Sequence, residues 1–193
     1  MLSVLAFSGS SRSGSVNKKL VHAAVRAVRD AGADVEEIDL GDYRMPLYDG
    51  DDEAGNGPPE NAARLRDLFA SKGAFLIGCP EYNGLITPLL KNTIDWVSRP
   101  DADGKSGLLS VRGKLAALTA ASPGGLGGLR GLVHVRMLLS NIGMFVLPDQ
   151  VALPHAPKAF DDQGALTDES TVKRLATFAE RFVQAGQRLG SRG

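Results

Sequence analysis

A chain of 193 residues with 43% hydrophobic and 23% charged content can bury one sizeable core, so residues 1–193 read as a single globular domain. Basic and acidic residues balance at 22 each, so no net field draws the chain to nucleic acid or to an anionic membrane. One cysteine, Cys79, excludes an internal disulfide framework and a cysteine-rich metal site, which suits a reducing cytoplasm; no basic-then-apolar leader and no apolar run near the roughly 18 residues of a spanning helix is present.

The first element is Val4-Leu5-Ala6-Phe7, a continuous apolar run of the kind found in strands buried on both faces. Leu20, Ala24, Ala27, Val28 and Ala31 then recur at helical spacing. Between them lies GSSRSGSVN, Gly9 to Asn17, at the place where an open α/β sheet presents a strand's carboxyl end and the positive end of the next helix to a ligand. Its glycines free backbone N–H groups, its serines and Asn17 offer donors, and Arg12 adds a fixed charge. A P-loop would need a lysine after Gly14, where Ser15-Val16 stands, and a dinucleotide fingerprint would need glycine at Ser11. A monophosphate suits the stretch better, with a solvated loop whose Ser15 only caps the helix as the alternative.

Further buried-strand patterns follow at Val35 to Leu40, Ala74 to Cys79, Leu115 to Ala120 and Met144 to Leu147. Helical periodicity separates them at Pro59 to Ser71, Pro88 to Val97 and Leu126 to Ile142, and a last helix carries Val172, Leu175, Ala179, Phe182, Val183 and Gly186 along one stripe, with Thr167 as its expected N-cap. Five strands alternating with helices predict a three-layer α/β/α sandwich around a parallel sheet, of flavodoxin-like order 2-1-3-4-5. The loops 41–58 and 98–113 are long for connectors and read as covers over a site or as disordered segments; the acidic run Asp51-Asp52-Glu53 reads as solvated.

Two more loops reach the same sheet edge. After the third strand, Pro80 restrains the exit, Glu81, Tyr82 and Asn83 bring an acid, a ring and an amide, Gly84 permits a turn, and Thr87-Pro88 opens a helix. After the fourth comes SPGGLGGLRG, Ser122 to Gly131, whose glycines let the backbone approach a flat object. One loop suited to a phosphate and two suited to a planar heterocycle describe flavin mononucleotide, FMN. His22, His134 and His155 share no metal-ligand spacing and read as surface residues, so no metal is assigned; Cys79 reads as a small buried residue, and Trp96 as packing in the core or at an interface.

These residues resemble the NAD(P)H-dependent FMN reductases, with their quinone, azo-compound and chromate reductase relatives. The likeness rests on Gly9, Ser10, Arg12, Ser15 and Asn17; on Pro80 to Asn83 continuing into Leu90-Lys91-Asn92 and Ile94-Asp95-Trp96; and on the glycine-rich third loop. It implies that Ser10, Arg12, Ser15 and Asn17, with Val16, hold the FMN phosphate. Pro80, Glu81, Tyr82, Asn83 and Gly84 would border the ribityl chain and the ring, with Ser122, Pro123, Gly124 and Gly125 on the far side. It implies hydride transfer from NADPH or NADH to the flavin and on to a quinone, free flavin or similar small acceptor in a ping-pong cycle, with no side chain assigned as catalytic. A flavodoxin-like electron carrier, or a flavin-binding redox sensor without turnover, is the alternative; carriers are usually strongly acidic, and this chain is neutral. Family members are commonly homodimers, or tetramers built of dimers, through the helices that follow the second and third site loops.

Overall fold

Side chains along a strand alternate between faces, so a strand apolar at every position must be covered on both sides. The computed structural model, which describes residues 1–101 and 103–190, shows this arrangement. Strands β1 (Ser3–Ser8), β2 (Asp34–Glu37), β3 (Ala74–Gly78), β6 (Leu115–Ala121) and β7 (Phe145–Leu153) form one parallel sheet in the order β2-β1-β3-β6-β7. With β4 (Glu81–Tyr82) and β5 (Leu85–Ile86) set apart as a two-stranded hairpin, that order is the flavodoxin-like 2-1-3-4-5 expected from the sequence.

Helices α1 (Val16–Asp30) and α6 (Glu169–Gly190) cover one face, where Val21, Ala24, Val25 and Val28 meet Leu175, Phe178 and Phe182 over Val4, Ala6, Leu76 and Ala117. On the other face, α3 (Glu60–Ser71), α4 (Pro88–Val97) and α5 (Leu129–Asn141) set Leu65, Phe69, Leu90, Ile94, Leu132 and Leu139 against Leu5, Phe7, Phe75, Ile77 and Leu118. The alternate residues of each strand thus fill two separate apolar layers. No helix of the described residues is long and apolar enough to cross a membrane.

Several elements differ from the sequence reading, each for a tertiary reason. The second strand stops at Glu37, and Leu40 is buried in a 3-10 turn instead. The last strand runs on through Pro148 to Leu153, because its register against β6 shifts between Ala116 and Leu118. Arg136 holds that irregular stretch by donating to the carbonyls of Val146, Leu147 and Pro148 and to Gln150. The N-cap of α6 is Asp168 rather than Thr167: its carboxylate accepts the Thr171 N–H and the Ser170 hydroxyl, which hold its pKa down to about 2.

The segment 41–58 is ordered against α4. It contains α2 (Gly50–Asn56) and is strapped to α4: the Tyr48 N–H donates to Asn92 Oδ1, while Asn92 Nδ2 and Trp96 Nε1 both donate to the Pro46 carbonyl at 2.8 Å. Glu53, read from the sequence as solvated, pairs with Arg99 at 2.7 Å and accepts the Tyr48 hydroxyl. Trp96 is buried within its own chain, edge-on to Tyr48. Segment 98–113 carries a 3-10 turn, Gly107–Ser110, and its Ala102 lies outside the described residues.

Gly9 and Thr119 give opposite expectations for stability. A Cβ on Gly9 would stand 2.8 Å from Leu90 Cβ and 3.1 Å from Thr87 Oγ1, where α4 abuts the end of β1. Gly9→Ala is therefore expected to cost about 1–3 kcal/mol by overpacking. Thr119 is fully buried with its hydroxyl unpartnered among the described residues, so Thr119→Val should be neutral or stabilising. Urea denaturation of both variants checks the pair.

Candidate functional site

The carboxyl ends of β1, β3 and β6 deliver three segments to one cleft of about 310 Å³, lined by Ser10, Arg12, Gly14, Ser15, Val16, Asn17, Pro80, Glu81, Tyr82, Ala121, Ser122, Pro123 and Pro157. Its size falls within the roughly 300–1,000 Å³ of small-molecule sites. The larger part of the sequence-predicted set is thus brought together, with Asn83 and Gly84 at the hairpin turn above it and Gly124 and Gly125 continuing the third loop.

The first segment leads into α1. Ser15 is the N-cap, its hydroxyl accepting the Lys18 N–H at 3.4 Å, and Ser10 Oγ accepts the Arg12 N–H at 3.4 Å. Both serines are buried, whereas Arg12 is exposed and its guanidinium has no ion-pair or hydrogen-bond partner among the described residues. The amides of Val16 and Asn17, in the first turn of α1, make no hydrogen bond to the described backbone. Free amides, a helix dipole and an uncompensated guanidinium are donors of the kind that suit an anion.

The Asn17 side chain is engaged elsewhere in the fold. Its carboxamide is buried and doubly committed to one residue of β6: Nδ2 donates to the Ala121 carbonyl at 2.8 Å, and Oδ1 accepts the Ala121 N–H at 2.9 Å. What Asn17 leaves for a ligand is its backbone N–H.

The second segment is the hairpin β4–β5. Asn83 at φ 53° and Gly84 at φ 83° form its turn, both in the left-handed region that such two-residue connections demand. Glu81 is turned to a structural use: its side chain is only 9% exposed, accepts the Gly131 N–H at 2.9 Å and pairs with Arg130 at 2.7 Å. Gly128 caps α5 in the left-handed conformation without any side-chain acceptor, so the Glu81 carboxylate serves the start of that helix from another part of the chain. Burial pushes its carboxyl up, but the Gly131 and Arg130 donors outweigh burial and hold it below its usual range. Tyr82 remains 51% exposed beside the cleft.

The third segment separates its glycines by role. A Cβ on Gly127 would stand 2.7 Å from the Leu153 backbone, and one on Gly128 2.8 Å from Ala120 Cβ, so these two serve packing. A Cβ on Gly124 or Gly125 would meet only ordinary van der Waals contact, with Ser122 Oγ at 3.8 Å and His155 Cε1 at 4.0 Å respectively. Two residues of the lining were not singled out from the sequence. Ala121 gave no signal, and Pro157 enters because Ala156 N–H donates to the Ser122 carbonyl and folds residues 155–157 back against the third loop. Cys79 is buried under the hairpin with its S–H toward the Ile77 carbonyl, and burial pushes its thiol up.

Residues 2–158 match the NADPH-dependent FMN reductase family. The chain belongs to this family. It is 37% identical over 169 residues to an NAD(P)H-dependent FMN reductase of Pseudomonas aeruginosa, covering 87% of this chain and 86% of that one. It is 33% identical over 184 residues to an NAD(P)H:quinone oxidoreductase of Solanum tuberosum, covering 91% and 88%. Among solved structures, the flavoenzyme NAD(P)H:(acceptor) oxidoreductase FerB of Paracoccus denitrificans superposes with a TM-score of 0.81 at 29% identity, covering 97% of this chain and 98% of that one. FMN is accordingly the cofactor against which the cleft is to be judged. Its dianionic phosphate matches the uncompensated Arg12, the two buried serine hydroxyls and the free amides of α1, so the residues present fit the group.

Glu81→Gln tests the capping role. The variant keeps an acceptor for the Gly131 N–H but loses the charge, and is expected to lose about 1 kcal/mol at neutral pH, roughly the gap between a hydrogen bond to a charged and to a neutral acceptor. In the wild type, a carboxyl held below its ordinary value of 4.5 stabilises in full above that value, and the contribution fades as pH falls through the lower folded value. Thermal melts from pH 7 to pH 3 should therefore converge for the two proteins at the acid end.

Proposed function

We propose that the protein is an FMN-dependent NAD(P)H oxidoreductase whose acceptor is a quinone, free flavin or similar small molecule. The observation that carries this reading is the uncompensated donor set at the start of α1, opening into the same cleft as the hairpin and the third loop. When bound, FMN supplies the redox chemistry, taking a hydride from the reduced nicotinamide and passing electrons to the acceptor in a ping-pong cycle.

The chain's own contribution is binding and shaping. Ser10, Arg12, Ser15, Val16 and Asn17 hold the phosphate, the last two through backbone N–H groups. Residues 80–84 border the ribityl chain and the ring through the hairpin backbone and Tyr82, and Ser122, Pro123, Gly124 and Gly125 line the far side. The space left beside Gly124 and Gly125 supports a flat ligand lying against peptide groups. No side chain in the cleft is assigned as an acid or base. A neutral chain with one buried cysteine suits the cytoplasm.

The working form is a homodimer. Leu129, Val133 and Met137 recur every four residues along α5 and are 42%, 60% and 59% exposed, and Tyr82 and Leu85 of the hairpin at the start of that helix are exposed as well. An apolar stripe of this kind marks an association surface. It lies on α5, whereas α4 shows solvent the polar pair Lys91–Asp95 and buries Trp96 inside its own chain.

Two measurements check this reading. FMN should bind better than riboflavin, and Arg12→Ala should weaken FMN by about 1.5–3 kcal/mol, roughly tenfold to a hundredfold, while riboflavin affinity stays the same. Equal affinities for the two flavins in a fluorescence-quenching titration would remove the phosphate assignment. Sedimentation at micromolar concentration should show a dimer, split by Val133→Glu combined with Met137→Glu; a wild-type monomer retaining FMN and full NADPH oxidation with benzoquinone would rule the dimer out.

A further inference from the structure

A strand inside a parallel sheet turns its N–H and C=O groups to one neighbour at every second residue and to the other neighbour at the residues between. On β6, Thr119 faces β3, where its carbonyl accepts the Cys79 N–H at 2.7 Å. Ala121, two residues on, faces the same way, but β3 has left the sheet: its register with β6 ends at Gly78 opposite Thr119, and Pro80 carries no N–H to continue the ladder. The Asn17 carboxamide stands in the vacated place. Its Oδ1 accepts the Ala121 N–H at 2.9 Å and its Nδ2 donates to the Ala121 carbonyl at 2.8 Å, so it meets both groups that a longer β3 would have met.

Asn17 is only 5% exposed, so without its side chain two backbone groups of Ala121 would lose their partner where water has little access. The two residues so joined stand at opposite sides of the cleft. Asn17 lies in the first turn of α1, next to Val16 and just after the N-cap Ser15, where the amides of residues 16 and 17 are free of backbone partners among the described residues. Ala121 ends β6 and leads into Ser122, the start of the third loop, whose N–H donates to the Leu153 carbonyl of β7. Between them β3 departs through Pro80 into the hairpin.

We infer that Asn17 is a positioning residue for the cofactor: its carboxamide, standing in for the missing end of β3, sets the separation between the amides at the start of α1 and the third loop. The inference rests on the proposed FMN site and deepens it. A ligand that spans two anchors gains when they are held at the right distance, and a ligand that uses one anchor does not. FMN spans them, with its phosphate on α1 and its ring against the third loop; riboflavin has no phosphate and uses the ring side alone. The Asn17 side chain acts through Ala121 and does not touch the phosphate.

The test uses Asn17→Ala and Asn17→Gln, each as the full chain freed of flavin and titrated with FMN and with riboflavin by fluorescence quenching. Asn17→Ala should bind FMN about tenfold more weakly than wild type, or worse, while riboflavin affinity changes by no more than about threefold. Asn17→Gln keeps the donor and the acceptor on a stem one methylene longer, and should lose about threefold for FMN, between wild type and Asn17→Ala. A preference for FMN over riboflavin within about twofold of wild type in Asn17→Ala would overturn the inference whatever its melting temperature, because the side chain would then serve the fold alone. Should Asn17→Ala not fold, the same reading on Asn17→Gln decides. In the 15N-labelled wild type, FMN should move the backbone amide of Asn17 and leave its side-chain NH2 resonances in place. A downfield shift of that NH2 pair would make the side chain a phosphate ligand and overturn the inference as well. Equal affinity of the wild type for the two flavins would overturn the phosphate assignment instead.

Discussion

The site depends first on the two hydrogen bonds between the Asn17 carboxamide and the peptide groups of Ala121. They join the first turn of α1 to the end of β6 across the intervening strand β3. One buried side chain thus bridges the α1 end of the cleft and the strand that leads into the third loop. An amide suits the task because it donates and accepts from adjacent atoms, matching one residue's C=O and N–H together.

The same device recurs around the cleft. Thr87 caps α4 and also donates its hydroxyl to the Gly9 carbonyl at 2.8 Å, tying α4 to the end of β1. Glu81 ties the hairpin to α5. In each case a polar side chain near the cleft is consumed in holding one segment to another, which leaves Arg12, Tyr82, the serine hydroxyls and the backbone along its lining. Such a division suits a flavoprotein, where the cofactor supplies the chemistry and the protein supplies shape and hydrogen bonds.

The elements legible in the sequence are those whose signal is local. Continuous apolar runs such as Leu5 to Phe7 and Ala74 to Ile77 disclose strands buried on both faces, and Thr87-Pro88 discloses a helix start, because propensity and packing agree there. Gly84 reads only as permitting a turn; the hairpin that Asn83 and Gly84 close was not separated from the loop in the sequence. Features that rest on distant partners were not legible. Asn17 sits in a donor-rich loop and reads as a ligand, but its partner lies 104 residues on. Glu81 reads as an acid at the site edge until Gly131 is brought beneath it. The strap formed by residues 43–58 reads as loose because Pro46, Tyr48 and Glu53 find Asn92, Trp96 and Arg99 only in the fold.

The central claim is that the amides at the start of α1 hold the phosphate of a flavin. Backbone amide NMR of the 15N-labelled protein, titrated in parallel with FMN and with riboflavin, addresses it most directly. FMN should shift the resonances of residues 13–17 downfield, as charge-assisted N–H bonds form, while riboflavin shifts only those of residues 82–84 and 122–125. If FMN perturbed residues 82–84 and 122–125 but left 13–17 unmoved, the phosphate would lie elsewhere and the account would be contradicted.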